Sequence, residues 1–498
     1  MYKVLKDCYT CFKLFFITWR FGDLKTAYKK IISLVCVALA AFFMFAETAL
    51  AFPSYDGDVN AYAVVLLDAD SGKVLFEKNA DERIVPASTT KVMTCVLALE
   101  NGDMSSEAEV SKEASRVGQS SIELREGERI LFKDLVYAMM IRSGNDGAAA
   151  IAEHIAGSVP AFVDMMNAKA SELGMANTHF INPHGLPGEE EDENNYTTAS
   201  DMAKLAMYAM KNPTLMEIAG TTTYKVPANN RRRRASTYTT TNRLLRDSLN
   251  SYYSYATGLK TGYTDAAGHC LIATAQKDGM NLICLIYKDD TETGSARWPL
   301  AKNMLEFGFD NFVTFDLQIL ADKLKPVQAQ VENHSSADLG EGLLEFEVPQ
   351  VAGTLVTLSK EAAEGLQNGT DTIETVAAFS VPEPLQAPVL KGDVVGAVVY
   401  KSANTGEIIY EGSLVAARDV LEAGTETDAS GNTAVATMEP VLPEQLKSPK
   451  DSPLAYLWLL IPAGLIAFLV IRLITVSKAK RKRLAARRKP KYSYKIRR

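Results

Sequence analysis

Apolar residues follow two different spacings in the first large segment of the chain. Residues 61–66 and 74–76 are short apolar runs on either side of a polar turn, a pattern typical of two strands. A buried helix face is predicted by apolar residues at intervals of three and four: Val92, Cys95, Val96 and Leu99. Asn101 and Gly102 are expected to end this helix. The mixture of the two spacings between about residues 55 and 310 indicates an α/β or α+β domain.

Two later apolar runs, residues 270–276 and 280–288, are joined by Lys277, Asp278 and Gly279. A short polar connection that ends in glycine favours a β-hairpin. The sequence therefore predicts two antiparallel neighbours in a sheet.

The pattern changes from about residue 313 to 418. Short β-rich segments, 343–348, 354–358 and 394–400, are separated by turn residues, and residues 404–406 (Asn-Thr-Gly) predict another hairpin turn. This segment is expected to be a separate all-β domain. Gly, Thr, Ser, Asp, Pro and Glu dominate residues 421–452, which predicts a flexible tether.

The N-terminal end carries an export pattern. A lysine-rich segment precedes the uncharged run 31–46, and Ala49-Leu50-Ala51 follows it. This arrangement predicts a signal peptide that is cleaved after Ala51. An uncleaved membrane helix is the alternative, although the run falls short of the ~20 residues that span a bilayer.

The C-terminal end carries an anchoring pattern. Residues 453–471 contain no charge, and a dense Lys/Arg tail follows them. By the positive-inside rule this tail is cytoplasmic and the preceding residues form a membrane helix. A buried core helix is the alternative, which the abrupt basic flank disfavours.

Composition excludes several classes of protein. The 498-residue chain is 47% hydrophobic with a net charge of -7, which fits globular domains and argues against a nucleic-acid-binding protein. Five scattered histidines and no H-E-x-x-H motif argue against a metallopeptidase, so no metal or cofactor is expected. Without the presequence an odd number of cysteines remains, which excludes a complete disulfide framework: Cys95, Cys270 and Cys284. The pairing of the last two is left open.

Three short motifs could carry chemistry. In Ser88-Thr89-Thr90-Lys91, a neutral lysine on the same helix face could take the proton of the serine hydroxyl. Such a lysine is neutral only where burial or a nearby cation lowers its pKa. The alternative is a helix-capping serine beside a solvated lysine.

The second motif is Ser143-Gly144-Asn145, whose hydroxyl and amide could serve proton transfer and substrate binding; its alternative is a simple turn. The third is Lys260-Thr261-Gly262 on a strand. Lys260 could hold a substrate carboxylate and lower the pKa of Lys91, while Gly262 lets a substrate backbone approach closely. Its alternative is an edge-strand lysine that deters aggregation.

In this order, S-x-x-K, S-x-N and K-T-G are the signature of the penicillin-interacting serine enzymes. The segments V-P-A-S-T-T-K (85–91), R-S-G-N-D (142–146), N-P-H-G-L (182–186) and G-L-K-T-G-Y-T (258–264) resemble the low-molecular-mass penicillin-binding proteins that are serine-type D-alanyl-D-alanine carboxypeptidases. The resemblance covers about residues 55–418. It implies an α+β, β-lactamase/transpeptidase-like catalytic domain, an antiparallel sheet with helices, followed by a small all-β domain and, here, a C-terminal transmembrane helix.

The expected organisation of the chain is a signal peptide (1–51), a catalytic domain (52–311), a β-rich domain (312–420), a linker (421–452), a transmembrane helix (453–476) and a basic cytoplasmic tail (477–498).

The resemblance also implies roles for individual residues. Ser88 would be the nucleophile, Lys91 its general base and Ser143 part of the proton relay. The substrate-binding residues would be Asn145, Lys260, Thr261, Gly262 and Tyr263, with the N–H groups of Ser88 and Tyr263 as the oxyanion hole. Arg297 is added as an extra contact to the substrate carboxylate, and His184 is expected to be structural.

The function implied is removal of the terminal D-alanine from peptidoglycan stem peptides, with β-lactam antibiotics as covalent inhibitors and the membrane as a further partner. Two alternatives stay open: a class A β-lactamase, which has S-D-N where this chain has Ser143-Gly144-Asn145, and a catalytically idle wall-binding scaffold. The acidic run 189–193 and the basic run 231–234 are expected to be solvated loops, or else contacts for charged wall polymers.

Overall fold

The computed structural model describes residues 53–188, 195–289, 291–347, 351, 353–380, 384–427 and 433–435. The predicted signal peptide, transmembrane helix, basic tail, acidic run and most of the linker lie outside these residues. Among the residues described, no helix combines the length and the apolar character that crossing a bilayer requires.

The strands that precede residue 312 are β1 Ala61–Asp68, β2 Val74–Lys78, β3 Glu107–Glu109, β4 Arg129–Leu131, β5 Thr223–Val226, β6 Ser236–Thr239, β7 Ala256–Thr264, β8 Gly268–Lys277 and β9 Met280–Asp289. The α-helices of the same region are α1 Lys91–Asn101, α2 Phe132–Arg142, α3 Asn145–Ala156, α4 Val159–Glu172, α5 Ala199–Met210, α6 Pro213–Gly220 and α7 Arg297–Asn311.

Five of these strands form one antiparallel sheet, in the order β2-β1-β9-β8-β7. Helix α7 and its neighbours pack on one face, and the remaining helices, α1 and α2 among them, pack on the other. Because both faces are covered, β8 is buried along most of its length. This is why its sequence is a continuous apolar run and does not alternate.

The predicted hairpin between β8 and β9 is confirmed. Asp278 (φ 50°) and Gly279 (φ 86°) connect the two strands, and two consecutive positive φ angles match the twist of a tight hairpin. The predicted strands at 61–66 and 74–76 are also confirmed, as β1 and β2.

The sheet decides whether Cys270 and Cys284 can form a disulfide. Cys95, Cys270 and Cys284 are free and buried. Cys270 faces the large helical core and Cys284 faces the core under α7, on the opposite side of the sheet. A disulfide between them is therefore excluded by direction.

Residues after α7 build a smaller β-rich region with its own hydrophobic core. Its strands are β10 Phe312–Asp316, β11 Gln328–Glu332, β12 Leu343–Glu345, β13 Leu355–Ser359, β14 Ile373–Phe379, β15 Leu385–Gln386, β16 Val394–Ser402 and β17 Ile408–Val415. Two short strands later in the chain, β18 Thr425–Thr427 and β19 Thr433–Val435, pair with each other. The predicted hairpin turn at Asn404-Thr405-Gly406 is confirmed between β16 and β17.

The expectation that this region is entirely β needs a correction. An α-helix, α8 Lys360–Asn368, and a 3-10 helix, Leu317–Lys323, lie within it. Ser359 caps α8 by accepting a hydrogen bond from the N–H of Ala362, and Gly369 (φ 80°) ends it. These local capping signals outweigh the β-rich context.

Candidate active site

The Ser88 motif lies on a 3-10 turn, Ala87–Thr90, and α1 begins only at Lys91, whereas the sequence placed Ser88 and Lys91 on one helix. Ser88 is half-buried and Lys91 is completely buried. Lys91 Nζ lies 2.9 Å from Ser88 Oγ, 2.7 Å from Asn145 Oδ1 and 2.8 Å from the carbonyl oxygen of His184. The turn and the helix together keep the serine and the lysine on one face, as the spacing predicted.

The three partners of Lys91 fix the direction of its lone pair. Asn145 is oriented because its Nδ2 donates to the carbonyl of Gly118 over 2.9 Å, so Oδ1 faces the lysine. The oxygens of Asn145 and His184 can only accept, and they use the two N–H donors of a neutral amine. The lone pair is then left for the hydroxyl of Ser88, which is the arrangement of a general base.

The electrostatics of the site favour that neutral amine. Burial lowers the pKa of Lys91 well below its ordinary value, the positive charge of Lys260 lowers it further, and Asp146 acts in the opposite direction. Burial is the larger of the two causes that the sequence indicated for a lower pKa of Lys91. A solvated lysine beside a capping serine is excluded, because Lys91 has no exposed surface.

Ser143 and Lys260 form a second serine–lysine pair. Ser143 ends α2 in a left-handed conformation (φ 66°), which is uncommon for a residue with a side chain. Lys260 Nζ donates to Ser143 Oγ and to the carbonyl of Thr261, both over 2.9 Å. Lys260 is buried, which lowers its pKa to about 7 and excludes a solvated edge-strand lysine.

Strand β7 lies beside the turn that carries Ser88. A Cβ atom on Gly262 would lie 3.2 Å from the backbone nitrogen of Ser88 and 3.2 Å from the carbonyl of Pro86, so only glycine permits this approach without displacement. Thr261 Oγ1 lies 2.6 Å from Thr241 Oγ1. Tyr263 stacks on His269 with ring centroids 4.3 Å apart.

Arg297 is not hydrogen-bonded to the two serine–lysine pairs. It begins α7, and its backbone N–H donates to Asp289 Oδ2 over 2.8 Å. Its guanidinium lies over the ring of Trp298, and its Nε and Nη1 are buried with no hydrogen-bond partner among the residues that the structure describes. Burial lowers the pKa of Arg297, while Asp289 raises it. The proposed contact with a substrate carboxylate stays a prediction.

His184 contributes to the site through its backbone. Its carbonyl binds Lys91, and its Nδ1 accepts a hydrogen bond from the N–H of Leu186 over 3.2 Å. Burial and the charge of Lys91 lower the pKa of His184 to about 3. The neutral ring is therefore a structural group, in agreement with the sequence-based expectation.

Asp146 supports the site and was missed in the sequence. Its carboxylate accepts hydrogen bonds from Ser121 Oγ over 2.7 Å and from the N–H groups of Ile122 and Leu124, each over 3.0 Å. These bonds fix the loop whose Gly118 carbonyl orients Asn145. Its position directly after the S-x-N motif was the one available signal.

The basic run needs a partial correction. Arg232 is buried and forms an ion pair with Glu128, with Nε 2.5 Å from Oε1, so the run is not uniformly solvated. Arg231, Arg233 and Arg234 are exposed. A basic run seen in isolation gave no sign that one of its members fills an interior position.

Comparison with known proteins agrees with the geometry. The family profile described as D-alanyl-D-alanine carboxypeptidase, peptidase family S11, matches residues 48–291. The D-alanyl-D-alanine carboxypeptidase DacF of Bacillus subtilis is 32% identical over 369 residues, which is 73% of this chain and 87% of the relative. DacC of Escherichia coli is 31% identical over 427 residues, covering 80% of this chain and 94% of the relative.

Two solved structures are similar in fold along the same length. The D-alanyl-D-alanine carboxypeptidase DacD from Francisella tularensis superposes with a TM-score of 0.58 at 26% identity, covering 74% of this chain and 96% of that one. Penicillin binding protein 5 from Haemophilus influenzae superposes with a TM-score of 0.57 at 28% identity, covering 74% and 100%.

Proposed function

This chain belongs to the D-alanyl-D-alanine carboxypeptidase family, and from that premise we propose that it removes the terminal D-alanine of peptidoglycan stem peptides through an acyl-enzyme on Ser88. One observation carries the proposal. A completely buried Lys91 has two of its neighbours restricted to accepting hydrogen bonds, so its lone pair is left for the Ser88 hydroxyl at 2.9 Å.

In the first step Ser88 Oγ attacks the carbonyl carbon of the penultimate D-alanine while Lys91 Nζ takes the hydroxyl proton. The N–H groups of Ser88 and Tyr263 stabilise the negative oxygen of the tetrahedral intermediate. The C–N bond then breaks. The departing amine receives the proton that Lys91 took, relayed through Ser143, whose hydroxyl is held by Lys260, and Lys91 is neutral again. Free D-alanine leaves.

In the second step water attacks the ester, and Lys91 takes a proton from that water as it did from the serine. The C–O bond to Ser88 breaks and the serine hydroxyl is restored. A β-lactam would acylate the same hydroxyl by opening its ring, and because its leaving group stays attached, the adduct would persist.

Lys260 and Thr261 explain a preference for the end of a peptide. A terminal carboxylate beside Lys260 gives the buried ammonium an opposite charge, which compensates for the solvation that burial removes. A peptide that continues past this point offers no such charge. Binding energy therefore favours a substrate whose scissile bond is the last one.

For the location of the protein we propose export with cleavage after Ala51, a single C-terminal span over residues 453–476 and a cytoplasmic tail over residues 477–498. The uncharged runs and their basic flanks support it. N-terminal sequencing of the mature protein, together with protease accessibility of the tail in sealed cells, tests both ends.

The function is tested by incubating the purified protein with a pentapeptide that ends in D-Ala-D-Ala. We expect free D-alanine from the wild type and a rate lower by at least about 10³-fold in Ser88→Ala. A matched variant, Ser171→Ala at an exposed serine of α4, should be fully active. Absence of D-alanine release by a folded wild type would contradict the proposal.

Treatment with penicillin separates the alternatives. A long-lived adduct that maps to Ser88 supports a carboxypeptidase, whereas rapid turnover of the antibiotic supports a β-lactamase. Failure of Ser88 to react with any labelled penicillin would favour the idle scaffold.

A further inference from the structure

A second cavity in the catalytic region is rich in arginine. It has a volume of about 490 Å³, and we call it the arginine pocket; it is lined by Arg125, Glu126, Asn229, Asn230, Arg231 and Arg233. Arg231 and Arg233 belong to the basic run, and Asn229 and Asn230 directly precede it; the proposed reaction uses none of these four residues.

The pocket is built on a hydrogen-bonded frame. Asn229 Oδ1 accepts from the backbone N–H of Arg231 over 3.0 Å and from that of Arg232 over 2.9 Å. The side-chain amide of Asn230 binds the segment that contains Gly127 and Arg129. Its Nδ2 donates to the carbonyl of Gly127 over 2.7 Å, and its Oδ1 accepts from the N–H of Arg129 over 2.8 Å. Two separate segments are thereby joined into one rigid rim.

Two further contacts position Arg125 and Arg231. Arg125 Nη1 donates to the carbonyl of Arg231 over 2.8 Å, which links the two sides of the pocket. A Cβ atom on Gly127 would lie 3.0 Å from Arg231 Nη2, so the glycine leaves the space that the guanidinium occupies. Beneath them the ion pair of Arg232 with Glu128 anchors the run to the core.

The charge of the pocket is unbalanced. Arg125, Arg231 and Arg233 form no ion pair within the part of the chain that the structure describes. Glu126 is the one acidic residue in the lining, while Glu128 is already paired with Arg232. Three cations against one carboxylate stand out on a chain whose net charge is -7.

We propose that the arginine pocket binds a soluble polymer that carries phosphate groups along its length. The three pocket cations that form no ion pair within the described residues are all arginines. The planar guanidinium group of arginine can donate two parallel hydrogen bonds to the oxygens of one phosphate. A phosphate offers acceptor oxygens in several directions and so satisfies converging guanidinium groups, whereas a carboxylate offers one edge. Repeated phosphates would extend the contact to Arg129 and Arg234, which are exposed beside the pocket.

The test measures binding of long-chain polyphosphate to the purified full-length chain at several salt concentrations. The double variant R231Q/R233Q removes two pocket charges, and K360Q/K391Q removes two exposed charges from the β-rich region as a matched control. We expect R231Q/R233Q to bind about tenfold more weakly and to reduce the slope of log K against log salt by about 1 to 2. The control should match the wild type.

D-Alanine release by each variant reports whether it is folded, because none of these residues contacts the serine–lysine pairs. If R231Q/R233Q loses that activity, the single variant R233Q replaces it, since the Arg233 side chain makes no hydrogen bond among the described residues. Equal weakening of the pocket and control variants would overturn the proposal. Equally tight binding of poly-L-glutamate would refute phosphate chemistry.

The last experiment measures how tightly the two double variants bind vesicles of phosphatidylglycerol and compares their affinities. If the two double variants differ in affinity for vesicles but not for polyphosphate, the pocket binds a membrane surface and the proposal is overturned. A difference confined to polyphosphate supports it.

Discussion

Lys260 Nζ lies 2.9 Å from the hydroxyl of Ser143, although 117 positions separate the two residues in the chain. Lys91 Nζ lies at the same distance, 2.9 Å, from the hydroxyl of Ser88. The site thus holds two buried serine–lysine pairs, and burial disfavours the charged form of each amine. Reaction requires opposite protonation states of the two lysines, with Lys91 neutral as the base and Lys260 positive toward the substrate carboxylate.

A bell-shaped dependence of kcat/KM on pH follows from these requirements. As pH falls through the depressed pKa of Lys91, the amine gains a proton and the base is lost. As pH rises through the pKa of Lys260, about 7, the cation is lost and the carboxylate is held less well. Rates of D-alanine release at low substrate concentration, measured across pH, check both limbs in the free enzyme.

Lys260→Arg isolates the alkaline limb. Arginine stays charged throughout the accessible range, so we expect a lower maximal rate but an alkaline limb shifted upward by at least one pH unit (about tenfold in proton concentration). Lys133→Arg, at an exposed position of α2, should keep the wild-type profile. An alkaline limb that does not move in Lys260→Arg would assign it to another group.

Gly185→Ala tests the packing under the nucleophile. Gly185 has φ 86°, and a Cβ atom there would lie 1.9 Å from the carbonyl oxygen of Ala87. We expect a loss of more than about 3 kcal/mol in the free energy of unfolding, together with slow acylation by penicillin, because the backbone before Ser88 must move.

The matched control is Gly174→Ala, since Gly174 also has a positive φ (68°) but open space around it. The left-handed conformation alone should cost about 1–2 kcal/mol there. Denaturant titration of both variants separates backbone strain from collision. Equal losses would show that the contact with Ala87 is unimportant.

Asp146→Asn tests the loop support. The amide nitrogen would face the backbone donors of Ile122 or Leu124, so we expect a loss of about 1–3 kcal/mol in the free energy of unfolding. Acylation should slow as well, because the same loop orients Asn145. Asp164→Asn, at an exposed position of α4, should leave both quantities unchanged.

Arg297→Gln tests the one predicted site residue that stands apart. If its guanidinium reaches the substrate carboxylate, KM should rise by about tenfold or more while kcat changes little. The melting temperature should stay the same or rise, because the variant removes two buried nitrogen atoms that have no hydrogen-bond partner within the described part of the chain. Lys302→Gln, on the same helix with a side chain that is 44% exposed, is the control. A lower melting temperature with unchanged KM would make Arg297 a structural residue.

Much of the fold was predictable because the apolar spacing is local. The hairpin around Asp278 and Gly279, the buried face of helix α1 and the turn at 404–406 each depend on neighbouring residues alone. The helix α8 was missed because a strong β pattern surrounds its short capping signals. The buried position of Arg232 was missed because its partner, Glu128, is 104 residues away in the chain.

The sequence by itself determined which chemical groups are present and, through three ordered motifs, the family and the kind of reaction. It could not determine how dry the site is, because burial depends on every segment that packs over Lys91 and Lys260. Only the tertiary structure decided that the carbonyls of Asn145 and His184 occupy the lysine's donors, and that Cys270 and Cys284 face opposite sides of a sheet. The direction in which a side chain points and the dielectric environment around it depend on the packing of the whole chain. The spacing of residues within one segment does not encode either of them.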